Sequence, residues 1–182
     1  MDDNFIFVND VGPRDGLQNQ TIDVSPETRV KLIEKLLDAG VPGVEVASFV
    51  SPKAVPRMAG AGDIVSELKD RQAALSALVP NLKGYEMARD AGAKIISVVP
   101  SATETMNQKN INMSYEDILA LSCDLMRRAK VDGIKGQAYV SVAFECPFEG
   151  KVSQDRVMEM TETLIEAGAQ EIIIADTIGA AN

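Results

Sequence analysis

The chain has 182 residues, of which 46% are hydrophobic, 25% charged and 4% aromatic; this is the composition of one ordinary globular domain and excludes collagen-like, disordered and membrane-spanning classes. A formal net charge of −9 argues against a nucleic-acid partner, because phosphate backbones are held by clustered Lys and Arg. The chain contains no histidine, which excludes Ser-His-Asp and Cys-His devices and any imidazole metal ligand from these residues, and leaves chemistry to carboxylates, Cys, Lys, Arg or an oxygen-bound metal.

The acidic start, Met1-Asp2-Asp3-Asn4, is unlike a basic signal or transit peptide, and no apolar run approaches the ~20 residues of a spanning helix. Two cysteines make no disulfide framework, which fits a reducing compartment. The expectation is a cytoplasmic protein with no membrane partner.

In chain order, the apolar run at 5–11 reads as a buried strand. Ser25-Pro26-Glu27 then supplies an N-cap, a Pro at the first helical position and a first-turn acid, and opens a helix through Val30, Ile33, Leu36 and Leu37. Strands follow at 43–48, 73–80 and 94–102. Ser114-Tyr115-Glu116-Asp117 opens a second helix carrying Ile118, Leu121, Leu125 and Met126, ahead of a strand at 137–144. Ser153 caps a third helix, with Val157, Met160, Leu164 and Ile165, ahead of the last strand at 171–177. Asp38-Ala39-Gly40, Asp90-Ala91-Gly92, Asp132-Gly133 and Glu166-Ala167-Gly168 each precede a strand, as expected where a glycine stops a helix and turns the chain back. Met158 and Met160 read as packing, and so does Cys123 on an apolar helical stripe.

This repeated βα unit predicts a parallel sheet covered by helices, either doubly wound or a barrel, in a single domain over 1–182. Polar residues crowd the C-terminal strand ends: Asn9, Asp10, Arg14 and Asp15 after the first strand, Glu45 and Ser48 in the second, Asn81 and Lys83 after the third. Ser101 and Thr103 follow the fourth, Cys146 the fifth, and Asp176 with Thr177 closes the sixth. A shared polar mouth points to a barrel, although a barrel has eight strands and typically ~250 residues.

Val11-Gly12-Pro13-Arg14-Asp15-Gly16-Leu17-Gln18-Asn19 is the most loaded segment. It offers a cation beside a hard oxygen ligand between two turn-forming glycines, and it reads equally as a polar loop with a salt-bridging Arg. Glu45, between Val44 and Val46, is a carboxylate where burial is costly, so it either serves the chemistry or pairs with Arg14 for structure. Asp176 invites a functional reading and a capping reading alike. Lys53, Arg57, Lys83 and Lys109 follow strands two to four and suit either a phosphorylated ligand or a solvated surface. Cys146, on a strand-end loop, is a candidate reactive thiol.

The segments 11–19, Ser48-Phe49-Val50-Ser51-Pro52-Lys53, Pro80-Asn81-Leu82-Lys83-Gly84, Cys146-Pro147-Phe148-Glu149-Gly150-Lys151 and Asp176-Thr177-Ile178-Gly179 together resemble the 3-hydroxy-3-methylglutaryl-CoA lyase family, in order and register from about Phe5 onward. The resemblance implies a (β/α)8 TIM barrel, of which this chain supplies about six βα units and is truncated at its C-terminus. It implies cleavage of 3-hydroxy-3-methylglutaryl-CoA to acetyl-CoA and acetoacetate with Mg²⁺ or Mn²⁺, a place in leucine catabolism, an acyl-CoA substrate and a homo-oligomer. By the same analogy Asp15 is a metal ligand, Arg14 stabilises the enolate oxygen, and Glu45 and Asp176 are catalytic. Gln18, Ser48 and Thr177 bind substrate, with Asn81 and Lys83 towards the CoA.

Family members continue into a His-x-His strand and a Gly-rich loop with a catalytic Cys, which these residues lack, and Glu145 stands where a small residue is usual. The isolated chain is therefore expected to be inactive, with unpaired edges on its first and last strands. The alternatives are a sister lyase acting on a longer branched 3-hydroxyglutaryl-CoA, and a non-catalytic fragment that needs a partner to complete the barrel.

Overall fold

The computed structural model describes residues 6–181; the Met1-Asp2-Asp3-Asn4 start, Phe5 of the first expected strand, and Asn182 lie outside the described residues. The backbone divides after Ile96 into two compact units. The first runs β1 (Asn9–Asp10), a π-helical turn at Gly12–Gly16, α1 (Pro26–Asp38), β2 (Gly43–Ser48), a 3-10 turn at Pro56–Met58, α2 (Ala61–Leu68), β3 (Ala74–Leu78) and α3 (Leu82–Asp90). β1 and β3 both pair in parallel with β2. All six residues of β2 are buried, and its Val44, Val46 and Ala47 share a core with Ile33 of α1 and Ile64, Val65 and Leu68 of α2. Each fully buried aliphatic side chain contributes roughly 1.5–3 kcal/mol relative to exposure. The β2–β3 register steps between Glu45 and Ala47, so that Val46 stands opposite no β3 residue, as in a β-bulge.

β4 (Ile95–Val98) crosses the division. The second unit continues with α4 (Glu104–Ile111), α5 (Tyr115–Asp132), β5 (Lys135–Val140), the antiparallel pair β6 (Glu145–Cys146) and β7 (Gly150–Lys151), α6 (Gln154–Glu166) and β8 (Glu171–Ile174). β5 pairs in parallel with β8 from Gln137↔Glu171 to Val140↔Ile174. Its core joins Leu125, Met126 and Ala129 of α5 to Ala138 and Val140 of β5 and to Met160 and Leu164 of α6. Parallel strands with helical crossovers in both units are the expected α/β class.

The punctuation acts as read. Ser25 and Ser114 accept the backbone N–H groups of Thr28 and Asp117 at 3.3 and 3.0 Å. Ser153 also stands at an N-cap position, but its side chain accepts no capping bond. Gly40, Gly92, Gly133 and Gly168 take φ of +87°, +91°, +71° and +111° behind their helices, a region open to glycine at little cost.

Strand lengths differ from expectation for local reasons. The first strand shrinks to Asn9–Asp10 because Asn9 stands opposite Gly43, where β2 begins; the described residues before Asn9 have no β2 partner. The fourth stops at Val98, ahead of Pro100, which lacks an N–H for a ladder, and resumes only as a bridge between Ser101 and Ser141. The fifth starts at Lys135 and ends at Val140, because Val142 takes a φ of +51°, a rare conformation for a β-branched residue. The sixth ends at Ile174 rather than 177. Met160 is fully buried as expected, whereas Met158 is exposed. No described helix is long and apolar enough to cross a membrane.

Two features generate tests of stability. The buried Val142 N–H donates to Thr177 Oγ1 at 2.8 Å, so Thr177→Val is expected to lower stability by about 1–3 kcal/mol in denaturant unfolding, while Thr177→Ser stays close to the parent. Glu171 accepts from Lys135 Nζ at 2.6 Å and Gln137 Nε2 at 2.9 Å, and these bonds, Lys135 first, hold its carboxyl below the ordinary value of 4.5. A carboxyl lowered by folding adds stability that is fully present above its unfolded value and is lost as pH falls through its folded value. Glu171→Gln is therefore expected to flatten the decline of Tm on the acid side, measured by thermal scans through the carboxylate range.

Candidate active site

Directly after β1 the chain makes one wide turn. The N–H groups of Arg14, Asp15 and Gly16 converge on Val11 O at 3.2, 2.7 and 3.4 Å, with Pro13 at the start of the turn, where its missing donor is not needed. Asp10 Oδ1 accepts the Gly12 N–H at 2.8 Å, and a Cβ on Gly12 would lie 3.0 Å from that same oxygen. The turn presents two charged side chains in succession. Arg14 Nη1 donates to Asp15 Oδ1 at 2.6 Å, and Arg14 Nε donates to Glu45 Oε1 on β2.

The pairing of Glu45 with Arg14 that the sequence offered as a structural option is thus present. Glu45 is fully buried, the Arg14 side chain is 13% exposed and Asp15 is 52% exposed, so the cluster grades from a dry carboxylate to a wet one. Among the described residues, Arg14 Nη2 donates to no protein group. One guanidinium therefore has two of its nitrogens fixed by carboxylates and a third left to donate elsewhere.

The other first-unit candidates stand at varying removes. Gln18 lies half-buried just beyond the turn. Ser48 ends β2 with a buried hydroxyl that has no hydrogen-bond partner among the described residues, a condition uncommon in folded proteins. Asn81 Oδ1 caps α3 by accepting the Gly84 N–H at 2.9 Å, and a Cβ on Gly84 would meet Phe49 O at 2.8 Å, so this helix start needs both residues. Lys83 is exposed in the first turn of α3. Among the described residues, neither Asn81 nor Lys83 bonds to the Arg14 cluster. Lys53 is exposed, and Arg57 lies 3.9 Å from Asp23.

In the second unit, the Asp176 carboxylate accepts Ala180 N and Ala181 N at 2.8 and 3.0 Å, which is the capping option realised on a turn. Thr177 accepts the Val142 N–H. Cys146 is not a loop thiol: it lies in β6, 1% exposed, and its Sγ accepts from Thr103 Oγ1 at 3.2 Å. Lys109 Nζ sits 4.9 Å from the Phe148 ring centre. Burial raises the Cys123 thiol, as its core reading requires.

Asn107 and Arg29, both fully buried, were missed. Asn107 accepts the Ser101 N–H and donates to Ser101 O, both at 2.9 Å, and nothing in its exposed-looking surroundings signals this. Arg29 lies one turn before Ile33 on the buried side of α1, and an Arg at i−4 from an apolar stripe residue was a legible signal. No group of three or more His, Cys, Asp or Glu side chains that could hold a metal occurs among the described residues. Asp15 supplies one hard oxygen ligand, a corner of a divalent site and not a whole one.

Comparison with known proteins gives this geometry its setting. Rat mitochondrial hydroxymethylglutaryl-CoA lyase is 42% identical over 175 residues, covering 96% of this chain and 54% of the relative. A Pseudomonas aeruginosa 3-hydroxy-3-isohexenylglutaryl-CoA/hydroxy-methylglutaryl-CoA lyase is 37% identical over 171 residues, covering 93% and 57%. An HMG-CoA lyase from Acinetobacter baumannii, solved in complex with coenzyme A and 3-methylmalate, superposes with a TM-score of 0.89 at 32% identity, covering 96% of this chain and 57% of that one. The chain thus spans little more than half the length of these relatives. Its fold class is the (β/α)8 barrel of these lyases, represented here by five βα units and the strand of a sixth, β8. The HMGL-like family model matches residues 5–182, and the chain belongs to the HMGL-like family.

Proposed function

We propose that the protein is a carbon–carbon lyase that cleaves 3-hydroxy-3-methylglutaryl-CoA to acetyl-CoA and acetoacetate. The observation that carries this reading is the Arg14 guanidinium, held through Nε and Nη1 by Glu45 and Asp15 with Nη2 uncommitted. In a retro-aldol cleavage a base removes the proton of the tertiary hydroxyl, the C–O bond becomes the ketone of acetoacetate, and the adjacent C–C bond breaks. Its electron pair passes to the thioester fragment as an enolate, which takes up a proton to give acetyl-CoA. Negative charge appears on the thioester oxygen, and a fixed cationic donor aimed there stabilises that state without reorganising.

In this reading Arg14 Nη2 is that donor, Glu45 and Asp15 position it, and Gln18 with the unpartnered Ser48 hydroxyl contributes to substrate binding. Asn81 and Lys83, at the start of α3, serve the CoA. Asp176 is taken as a catalytic residue and Thr177 as a substrate-binding one, as the resemblance implies. A divalent ion, Mg²⁺ or Mn²⁺, would supply Lewis acidity when bound; Asp15 would furnish one of its ligands, and the described residues do not complete the set. Two free, buried cysteines support a cytoplasmic setting, and a homo-oligomer belongs to the same reading. The place in leucine catabolism follows from the substrate. The dual name of the Pseudomonas relative favours a second reading, in which a longer branched 3-hydroxyglutaryl-CoA is cleaved by the same chemistry.

In the full-length protein, Arg14→Gln is expected to lower kcat on the order of 10²-fold or more with the fold retained, measured by acetyl-CoA and acetoacetate release alongside circular dichroism. Near-parental turnover would overturn the assignment. Asp15→Ala is expected to weaken Mn²⁺ affinity in a direct titration, and unchanged affinity would move the ligand elsewhere.

A further inference from the structure

Arg29 is fully buried, and among the described residues no carboxylate lies within ion-pair distance of it. Desolvation alone pulls its pKa below the ordinary arginine value, yet a guanidinium stays cationic in proteins. Its compensation is backbone carbonyls: Nη1 donates to Arg57 O at 3.4 Å and Ala59 O at 3.3 Å, and Nη2 to Val46 O at 3.4 Å. Met58 Sδ lies 3.7 Å from Nη2, and among the described residues Nε has no partner. Such a residue is a poor device for stability, since buried charge is often replaced by apolar side chains without loss.

Its placement suggests another use. Val46 is the residue that the β2–β3 ladder skips, and it directly follows Glu45. On a strand, a slip of one residue turns every side chain to the opposite face, so whatever pins Val46 determines the face on which Glu45 appears. The fork of Arg29 grips the Val46 carbonyl with one nitrogen and the 57–59 turn with another, which no single ammonium can reproduce.

We propose that Arg29 is a positioning residue for the Arg14–Glu45 pair: by clamping the bulge at Val46 to the turn after β2, it fixes the Glu45 carboxylate against Arg14 Nε and thereby aims Arg14. The role in turnover rests on the function proposed above, whereas the clamp itself does not. The test uses the full-length protein with Arg29→Met and Arg29→Lys, read by kinetics and by the ¹⁵N signal of the Arg14 Nε–H group.

Arg29→Met is expected to lose that protected signal and to drop kcat on the order of 10- to 100-fold at nearly unchanged KM, the size of loss a small misplacement produces. Arg29→Lys is expected to restore part of both, and it carries the test if the Met variant does not fold. In an Arg14→Gln background, Arg29→Met is expected to cost nothing further, because both changes act through one group. Persistence of the Nε–H signal in Arg29→Met, or an equal kcat loss in both backgrounds, would overturn the proposal. An active Arg14→Gln protein together with a lost signal in Arg29→Met would instead leave the clamp standing and defeat the proposed function.

Discussion

A carboxylate in the middle of a fully buried parallel strand has to be neutralised, and Glu45 imposes that constraint on everything near it. The cation must arrive from the neighbouring strand end, so the chain after β1 has to turn within a few residues and deliver Arg14 inward. That requirement accounts for the wide turn on Val11 O, for Gly12 pressed against Asp10, and for Asp15 being left half in solvent on the far side of the guanidinium. Removing one partner of a buried pair strands the other, at a cost of roughly 3–5 kcal/mol. Fold and chemistry are therefore bound together at this point: the pair that makes β2 tolerable also leaves one nitrogen of the same cation uncommitted among the described residues.

Much of this was legible in the residues. β2 was read to its observed ends because both faces are buried and the run is bounded by Pro42-Gly43 and the Ser51-Pro52 turn. Helix starts at Ser25 and Ser114 and the four glycine stops were visible because caps act through neighbours in sequence. Strand ends elsewhere were not, since pairing register decides them: where β1 begins depends on where β2 begins, and β5 ends at a left-handed Val142 that no propensity would suggest.

The site divides along the same line. Arg14, Asp15 and Glu45 were found because a buried-strand carboxylate next to a Gly-bounded Arg-Asp pair is an anomaly in the pattern itself. Asn81, Asp176 and Thr177 were singled out by motif, and the structure shows each of them holding backbone: a helix start, a turn and a strand end. A motif records that a residue type is required, and short polar residues are required for capping as well as for catalysis. Asn107 escaped because its partners are the amide and carbonyl of Ser101, which leave no trace in a one-letter pattern, whereas the place of Arg29 one turn before Ile33 was a signal that went unused.

Asp176 shows what such double duty entails. Both of its oxygens are engaged by the amides of Ala180 and Ala181, so anything that claims one of them, a proton or a ligand atom, must compete with the chain's own N–H groups. Occupancy at this carboxylate and order in the following turn are then thermodynamically linked: each weakens the other by the same factor. The segment 176–181 is in this sense a built-in competitor, tuned by the strength of two hydrogen bonds, and its amide exchange rates would report the occupancy of Asp176 from a distance of several residues.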